Sequence, residues 1–218
     1  MRSSKGAALA PLAGLVAVAL LAAGVFLSSK TPDTVEGGQK ILDFYVDNDS
    51  EQTASAILLA YGSLFLVLFG GALRSGLRRG EHDVEGPATL AFGGGLLMAV
   101  GPLILAGTTV AVTQNGDALD PIAAQAINAL IDRIWIITLL VGQSVLLLAS
   151  GVAILRGGAL PSSLGWVAVV LGVVSATPAS LLAFLVTLLW IVVVAVLLAR
   201  RASRPAGDQA PPAAAAAG

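Results

Sequence analysis

The chain lacks cysteine, has a single histidine and carries few charges: only 11% of its 218 residues are charged. Without cysteine there is no disulfide, no thiol nucleophile and no cysteine-ligated zinc or iron–sulfur cluster. The lone His82 cannot form a metal centre built from several histidines. Soluble domains carry about 25% charged residues, so the composition disfavours a water-soluble fold. The net charge of −1 argues against nucleic acid as a partner.

Long apolar runs fill most of the sequence, of which 56% is hydrophobic. A bilayer core of roughly 30 Å is crossed by about 20 apolar residues in a helix. The runs predict six transmembrane helices, at about 7–27, 53–73, 88–112, 134–155, 160–175 and 181–199. The predicted fold class is therefore all-α, an integral membrane helical bundle with one transmembrane domain over residues 1–201. Residues 202–218, rich in Pro and Ala, are predicted to form a disordered cytoplasmic tail.

Two of these spans need a separate argument. Read as one helix, residues 160–199 would be about 60 Å long, twice the bilayer core. Because a residue before proline disfavours continued helix, Thr177-Pro178 divides the stretch into a short hairpin of two spans. The first run, behind Arg2 and Lys5, exceeds the about 7–15 apolar residues of a secretory signal. It is predicted to be an uncleaved first span.

The distribution of basic residues predicts the topology. With six spans and a cytoplasmic N-terminus, three basic residues are extracytoplasmic, namely Lys30, Lys40 and Arg133. The other nine are cytoplasmic: Arg2, Lys5, Arg74, Arg78, Arg79, Arg156, Arg200, Arg201 and Arg204. Basic residues favour the cytoplasmic side. The predicted location is the cell membrane, with several passes and both termini in the cytoplasm.

The two longer outer loops are predicted to carry short amphipathic helices that pack together as a lid. In the first loop, apolar residues recur at helical spacing: Ile41, Leu42, Tyr45 and Val46. In the second, Asp120-Pro121 is typical of a helix start. An apolar stripe follows, made of Ile127, Leu130, Ile131 and Ile134, and its spacing also allows this helix to run straight into the fourth span. Asp49, with Gln52 three residues later, predicts a capping box at the start of the second span.

The acidic residues of these loops are candidates for a docking surface. Asp43, Asp47 and Asp49 could bind a partner protein or a cation, or they could be the solvated side of a loop that only connects two spans. Calcium binding by Asp117 and Asp120 is disfavoured, because two acids lack the six to eight ligands that calcium prefers. No metal or cofactor site is predicted.

Inside the spans, two features stand out. Gln143 is the deepest strongly polar side chain and should face the bundle. It either bonds neighbouring helices or contacts a ligand in a wet cavity. Ala91, Gly95 and Ala99 place small residues on one helix face, where they favour close packing within the chain or a homodimer.

Three segments resemble a known group of proteins. They are 41–45 (ILDFY), 120–128 (DPIAAQAIN) and 156–166 (RGGALPSSLGW). Together they resemble uncharacterised six-span integral membrane proteins of actinobacteria, described as domains of unknown function. The resemblance extends over about Ala7 to Arg201. It implies six helices in a bacterial inner membrane and no established activity, and it carries over no catalytic residues.

These observations predict a non-enzymatic structural or accessory membrane protein with an acidic extracytoplasmic face. The alternative is a small transporter or channel for a neutral or lipophilic solute. An enzyme is disfavoured because catalysis within a membrane normally needs ionisable groups there. The predicted partners are the lipid bilayer and either a protein at the outer loops or a second copy of the chain.

Overall fold

A computed structural model of the protein describes residues 10–28, 30–80, 82–177 and 180–203. Within these ranges the chain is helical and has no β-strand. The described residues form seven α-helices in this order: α1 Ala13–Ser28, α2 Gly38–Asp47, α3 Asp49–Leu77, α4 Glu85–Gln114, α5 Pro121–Gly157, α6 Ser162–Ser175 and α7 Ser180–Ala202. Short 3-10 turns lie at Ala10–Leu12, Thr34–Glu36 and Gly116–Ala118. The all-α prediction is confirmed.

In the part of the chain that the structure describes, five helical segments are long and apolar enough to cross a membrane: Ala10–Ser28, Asp49–Leu77, Glu85–Gln114, Pro121–Gly157 and Leu182–Ala202. These helices identify the chain as a membrane protein. α6 is apolar but has only 14 residues. At 1.5 Å per residue it is about 21 Å long, which is shorter than a bilayer core of roughly 30 Å. The segment predicted as the fifth of six spans is therefore too short to cross a flat bilayer alone.

Four helices, α3, α4, α5 and α7, are longer than the spans predicted for them, because polar ends continue the apolar runs. α5 begins at Pro121 rather than near 134. The Asp120 carboxylate accepts a 2.8 Å hydrogen bond from the Ile122 N–H, so it caps the helix as its sequence predicts. The helix predicted for the second outer loop therefore runs straight into the fourth span, one of the two arrangements that its spacing allowed. It is the first part of α5, because nothing interrupts the helical pattern between 121 and 134.

The first outer loop contains α2, which ends immediately before α3. Asn48 joins them, and its Nδ2 donates a 2.9 Å hydrogen bond to the Phe44 carbonyl of α2. The cap residue of α3 is Asn48 and not Asp49, and it makes no side-chain cap bond. The predicted capping box of Asp49 and Gln52 is therefore wrong: Asp49 is already the first residue of the helix.

Helices that follow one another in the chain pack side by side, with α2 set apart from this series. The order is α1, α3, α4, α5, α6 and α7, and α7 returns to contact α1. One apolar core runs through these six helices. A smaller cluster of Ile41, Tyr45 and Val112 lies between α2 and the end of α4.

α4 and α5 approach each other most closely at two glycines. A Cβ atom on Gly94 would lie 2.2 Å from the Leu146 nitrogen. A Cβ atom on Gly142 would lie 2.3 Å from the Met98 nitrogen. Because the obstructing atoms are backbone atoms, no side-chain rotation could relieve either contact. Glycine at both positions lets the two helix backbones touch.

α5 extends far beyond α6. α6 ends at Ser175, which contacts Gln143 of α5. From Gln143 the α5 helix continues to Pro121, which corresponds to about 33 Å of helix. α2 lies against the far end of this extension, where a Cβ atom on Gly38 would be only 1.9 Å from the Pro121 carbonyl oxygen.

Some predictions lie partly outside the described residues. The helix is interrupted between α6 and α7, where Thr177-Pro178 predicts the interruption. Residues 178 and 179 themselves lie outside the described residues. The predicted first span includes residues 7–9, which are also outside. Of the predicted tail, Ala202 is the last residue of α7, and residues 204–218 lie outside the described part of the chain.

Candidate functional site

α2 is held on the bundle by one apolar face. Ile41 and Tyr45 lie one helical turn apart and are almost completely buried. They pack on Val112, and the aromatic rings of Phe44 and Tyr45 meet edge to face. Gly38 lets the start of α2 touch α5. These contacts fix the direction of the Tyr45 side chain.

Beneath α2 lies a cavity of about 150 Å³, here called the α2 pocket. It lies between α1, α2, α4 and α5, at the end of the bundle that carries α2. Its lining is mixed in polarity: Val25, Ser28, Thr31, Tyr45, Leu105, Asn128, Ile131, Asp132 and Trp135. A cavity of this size accommodates a few water molecules or one small organic molecule.

Hydrogen bonds across one wall of the α2 pocket join distant parts of the chain. The Tyr45 hydroxyl donates to Asn128 Oδ1 over 3.5 Å, and Asn128 Nδ2 donates to Thr34 Oγ1 over 3.1 Å. Thr34 Oγ1 in turn donates to Asp132 Oδ2 over 3.5 Å, and Gln125 Nε2 donates to the Thr34 carbonyl over 2.8 Å. The two 3.5 Å contacts are long for O–H donors. A small ligand could therefore compete for these groups.

The electrostatics of the α2 pocket favour a neutral phenol. Burial raises the pKa of Tyr45 above its ordinary value, and the nearby Asp132 carboxylate acts in the same direction. Tyr45 is therefore a hydrogen-bond donor at neutral pH. Asp132 is exposed at the rim. Phenol, amide, carboxylate and the Trp135 indole together are suited to binding a small polar molecule.

Outside the α2 pocket, two other kinds of chemical group could support a reaction: metal-binding clusters and the histidine. Among them, no group of three or more His, Asp or Glu side chains is arranged to hold a metal ion. His82 is exposed in the α3–α4 loop.

Gln143 joins three helices in the middle of the bundle. It is fully buried, and its Nε2 donates to Ser175 Oγ of α6 over 2.7 Å and to Thr187 Oγ1 of α7 over 2.9 Å. Each hydroxyl donates onward to a carbonyl of its own helix, Leu171 or Ala183. Gln143 Oε1 has no hydrogen-bond partner among the described residues. The amide hydrogens of Gln143 are thus used between helices.

The predicted small-residue face is buried inside the chain's own bundle. Ala91, Gly95 and Ala99 have almost no exposed surface. A second copy of the chain would therefore need another surface. The glycine of α4 that allows the closest contact with α5 is Gly94, one residue from the predicted face. The sequence indicated this contact by its run of three glycines at 93–95. Because successive positions on a helix point about 100° apart, the run left open which glycine faces α5.

The three predicted docking acids are all exposed. The structure brings Asp43 and Asp47 together, one turn apart on α2, where they line a surface groove of about 450 Å³. The opposite side of this groove comes from Gly116, Leu119 and Pro121 in the α4–α5 connection. Asp49 is not among the lining residues, because it lies at the start of α3. Asp43 Oδ1 accepts a 2.7 Å hydrogen bond from Gln39 Nε2.

Sequence reasoning missed Asn128 and Asp132 as members of one site. Asn128, Ile131 and Trp135 share the inward face of α5 at i, i+3 and i+7 spacing. The sequence signal for this site was Asn128, a polar residue on an otherwise apolar stripe.

The α2 pocket and the acidic groove lie on two sides of the same short helix, so any ligand of one borders the other. Both depend on how α2 rests on α5.

Comparisons with models of protein families, with curated proteins and with solved structures found no match for this chain.

Proposed function

We propose that the protein is a non-enzymatic accessory membrane protein whose α2 helix docks a basic segment of a partner protein on the extracytoplasmic side. The observation that supports this most strongly is the position of Asp43 and Asp47. Both are exposed on one side of a helix whose other side is anchored by Ile41 and Tyr45. A rigid helix presents two carboxylates at a fixed spacing, so binding costs little ordering entropy.

We propose the topology with α2 outside the cell and both termini cytoplasmic: α6 enters the bilayer from the cytoplasmic side without crossing it alone, α7 returns to that side, and the pair takes the place of the fifth and sixth spans. The charges support it. Arg74 and Arg78 lie at the end of the bundle far from α2, where both pair with Glu85, and Arg156 and Arg200 lie at the same end. Basic residues are enriched on the cytoplasmic side of membrane proteins.

We also propose that the chain is related to the uncharacterised six-span membrane proteins of actinobacteria that it resembles. The segment 156–166 contains the turn between α5 and α6. Gly158 ends α5 there in the left-handed conformation, with φ of 66°, which glycine adopts at little cost. A glycine at this place suits a motif that sets a tight helix–helix turn.

The docking experiment uses the full chain in its native membrane. The double variant Asp43→Asn and Asp47→Asn removes both groove charges, and Asp49→Asn with Glu51→Gln removes two charges from the start of α3 as a matched control. Because the chain has no cysteine, a photo-crosslinker can be attached at Val46→Cys, a position that lines the groove. The crosslinked protein is then identified by mass spectrometry.

We expect one crosslinked partner with a Lys- or Arg-rich segment. It should be retained in the control and lost in the groove variant, and its yield should fall as salt screens the charges. An unchanged crosslink in the groove variant would remove the acidic pair from the docking site. Crosslinks to lipid alone would show that this face meets the bilayer.

The alternative function is the binding or transport of a small neutral solute, and the α2 pocket favours it. Tyr45, Asn128 and Trp135 line that pocket with hydrogen-bonding and aromatic groups. Its volume is about 150 Å³, which is small beside ligand pockets of about 300–1,000 Å³. Only a small solute fits.

Thiol labelling separates the two functions. Single cysteines replace Asn128 and Gln143 in turn, and a membrane-impermeant thiol reagent is added to intact cells. Labelling at 143 as well as at 128 would mean that water reaches the middle of the bundle, as transport requires. Labelling at 128 alone would restrict water to the α2 pocket and exclude an open path.

A further inference from the structure

The end of the bundle far from α2 contains a cleft, here called the basic cleft. It has a volume of about 340 Å³ and lies between the start of the described chain, the end of α3 and the end of α7. Its lining is mostly small and apolar, with two arginines: Ala10, Pro11, Gly71, Ala72, Ser75, Gly76, Arg79, Ala159, Leu198, Arg201 and Ala202.

The small residues of α3 keep the basic cleft open. Gly71 is one of its wall residues, and a Cβ atom built on it would meet no other atom within 4 Å. Space therefore continues from this wall into the cleft. Gly76 differs, because a Cβ atom there would lie 2.6 Å from Leu198 Cδ2. Gly76 lets α7 approach α3 closely, whereas Gly71 faces open space.

The two arginines of the basic cleft have no ion pair within the described part of the chain. Arg79 and Arg201 are both exposed and are absent from every salt bridge found there. Their neighbours differ: Arg74 and Arg78 both contact the Glu85 carboxylate. Within the described part of the chain, the cleft thus combines an apolar wall with two positive charges that no carboxylate pairs with.

The position of the charges matches the boundary of a membrane. Arg201 is in the last turn of α7, at the end of an apolar segment long enough to span, and Arg79 follows the end of α3 directly. Leu198 and Ala72 lie about one or two turns deeper. The cleft therefore presents charge at headgroup depth and apolar surface at the depth of the acyl chains.

We propose that the basic cleft binds one anionic phospholipid, with its phosphate between Arg79 and Arg201 and the upper part of an acyl chain along Gly71 and Ala72. Basic pockets between membrane helices suit anionic headgroups. A free phosphate ion would satisfy the charges and leave the apolar wall uncovered. A zwitterionic lipid would cover the wall but would bring its own positive charge close to the arginines.

The first test removes the charge. Native mass spectrometry of the full-length protein in mild detergent measures the dissociation constants of phosphatidylglycerol and of phosphatidylcholine with identical chains. Wild-type protein should bind phosphatidylglycerol at least about tenfold more tightly. The variant Arg79→Gln with Arg201→Gln should weaken that binding by about 30-fold, because each basic residue near a membrane surface contributes roughly fivefold. Arg156→Gln with Arg200→Gln removes equal charge at the same end outside the cleft, and should change it less than about twofold.

The second test keeps the charge and fills the cleft. Gly71→Leu should weaken phosphatidylglycerol binding by about fivefold or more, since the new side chain occupies the acyl position. Gly93→Leu is the matched control: a Cβ atom there also meets nothing within 4 Å, but Gly93 does not line the cleft. Its binding should equal that of the wild type.

Three results would overturn the proposal. The first is equal affinity for the two lipids. The second is an equal loss of phosphatidylglycerol affinity in the two double arginine variants. The third is complete displacement of the lipid by an equal concentration of glycerol phosphate. The last result would identify a site for a soluble phosphate group instead. Selective loss in Arg79→Gln with Arg201→Gln and in Gly71→Leu, with both controls unchanged, supports a lipid in the cleft.

Discussion

Replacing Gly94 by alanine places a methyl group where the backbones of α4 and α5 touch. The added Cβ atom would lie 2.2 Å from the Leu146 nitrogen, 2.7 Å from the Leu146 Cα and 2.8 Å from the Val145 carbonyl carbon. Ordinary contacts of a Cβ atom begin near 3.4 Å. Because all three obstructing atoms belong to the α5 backbone, the helices must separate by at least about 1 Å. Contacts along the whole α4–α5 interface then lengthen.

The magnitude follows from two opposing effects. Overpacking of a close-packed interior costs about 1–3 kcal/mol. Alanine also favours helix over glycine by about 1 kcal/mol. Gly93→Ala has the second effect without the first, because its Cβ atom would meet nothing within 4 Å. The difference between the two variants therefore isolates packing, and we expect Gly94→Ala to be less stable than Gly93→Ala by about 1–3 kcal/mol.

The assay is reversible unfolding in mixed micelles, followed by tryptophan fluorescence, with the free energy of unfolding obtained from the denaturant series. Gly93→Ala should equal or exceed the wild type. If the two variants differ by less than about 0.5 kcal/mol, the size of an ordinary surface substitution, then α4 and α5 do not touch at Gly94. The explanation of this interface would then be refuted.

Three further predictions concern α2 and the centre of the bundle. Gly38→Ala should displace α2 from α5, because its Cβ atom would lie 1.9 Å from the Pro121 oxygen; hydrogen exchange over 38–47 should rise while the rest of the bundle stays protected. Gln143→Leu should lower the free energy of unfolding by no more than about 2 kcal/mol, since both hydroxyl partners keep their own-helix hydrogen bonds; a larger loss in the same micelle assay would mean that Gln143 does more than join helices. Burial raises the pKa of Tyr45, so its contribution to stability is complete below the unfolded value of about 10 and is lost as pH rises through the higher native value. Tyr45→Phe should lack this alkaline loss when unfolding midpoints are compared across that range.

The helices were largely predictable from local sequence. Apolar runs located α3 and α4, Thr177 before Pro178 located the break between α6 and α7, and Asp120-Pro121 located the start of α5. Each of these signals acts within a few residues. Hydropathy alone could not show that polar ends extend the helices, because a helix continues until a cap or breaker stops it.

The contacts between helices were much less predictable. The close approach of α4 and α5 uses Gly94 rather than Gly95, a difference of one residue that rotates the contact face by about 100°. The α2 pocket needs Tyr45 and Asn128, which are 83 positions apart in the chain. Nothing local in either segment specifies that they meet. The docking partner, the topology and the absence of enzymatic activity stay predictions.

The short α6 has a consequence for the shape of the protein within the bilayer. α6 ends beside Gln143, while α5 continues for about 33 Å more. Among the helices that pack in series, α6 therefore adds cross-section only on the arginine-rich side of Gln143. On the other side, Ile137 and Val141 of α5 are at least half exposed and are left for lipid chains to cover. A protein that takes more area in one leaflet than in the other acts as a wedge. We expect it to concentrate where that leaflet is expanded by membrane curvature.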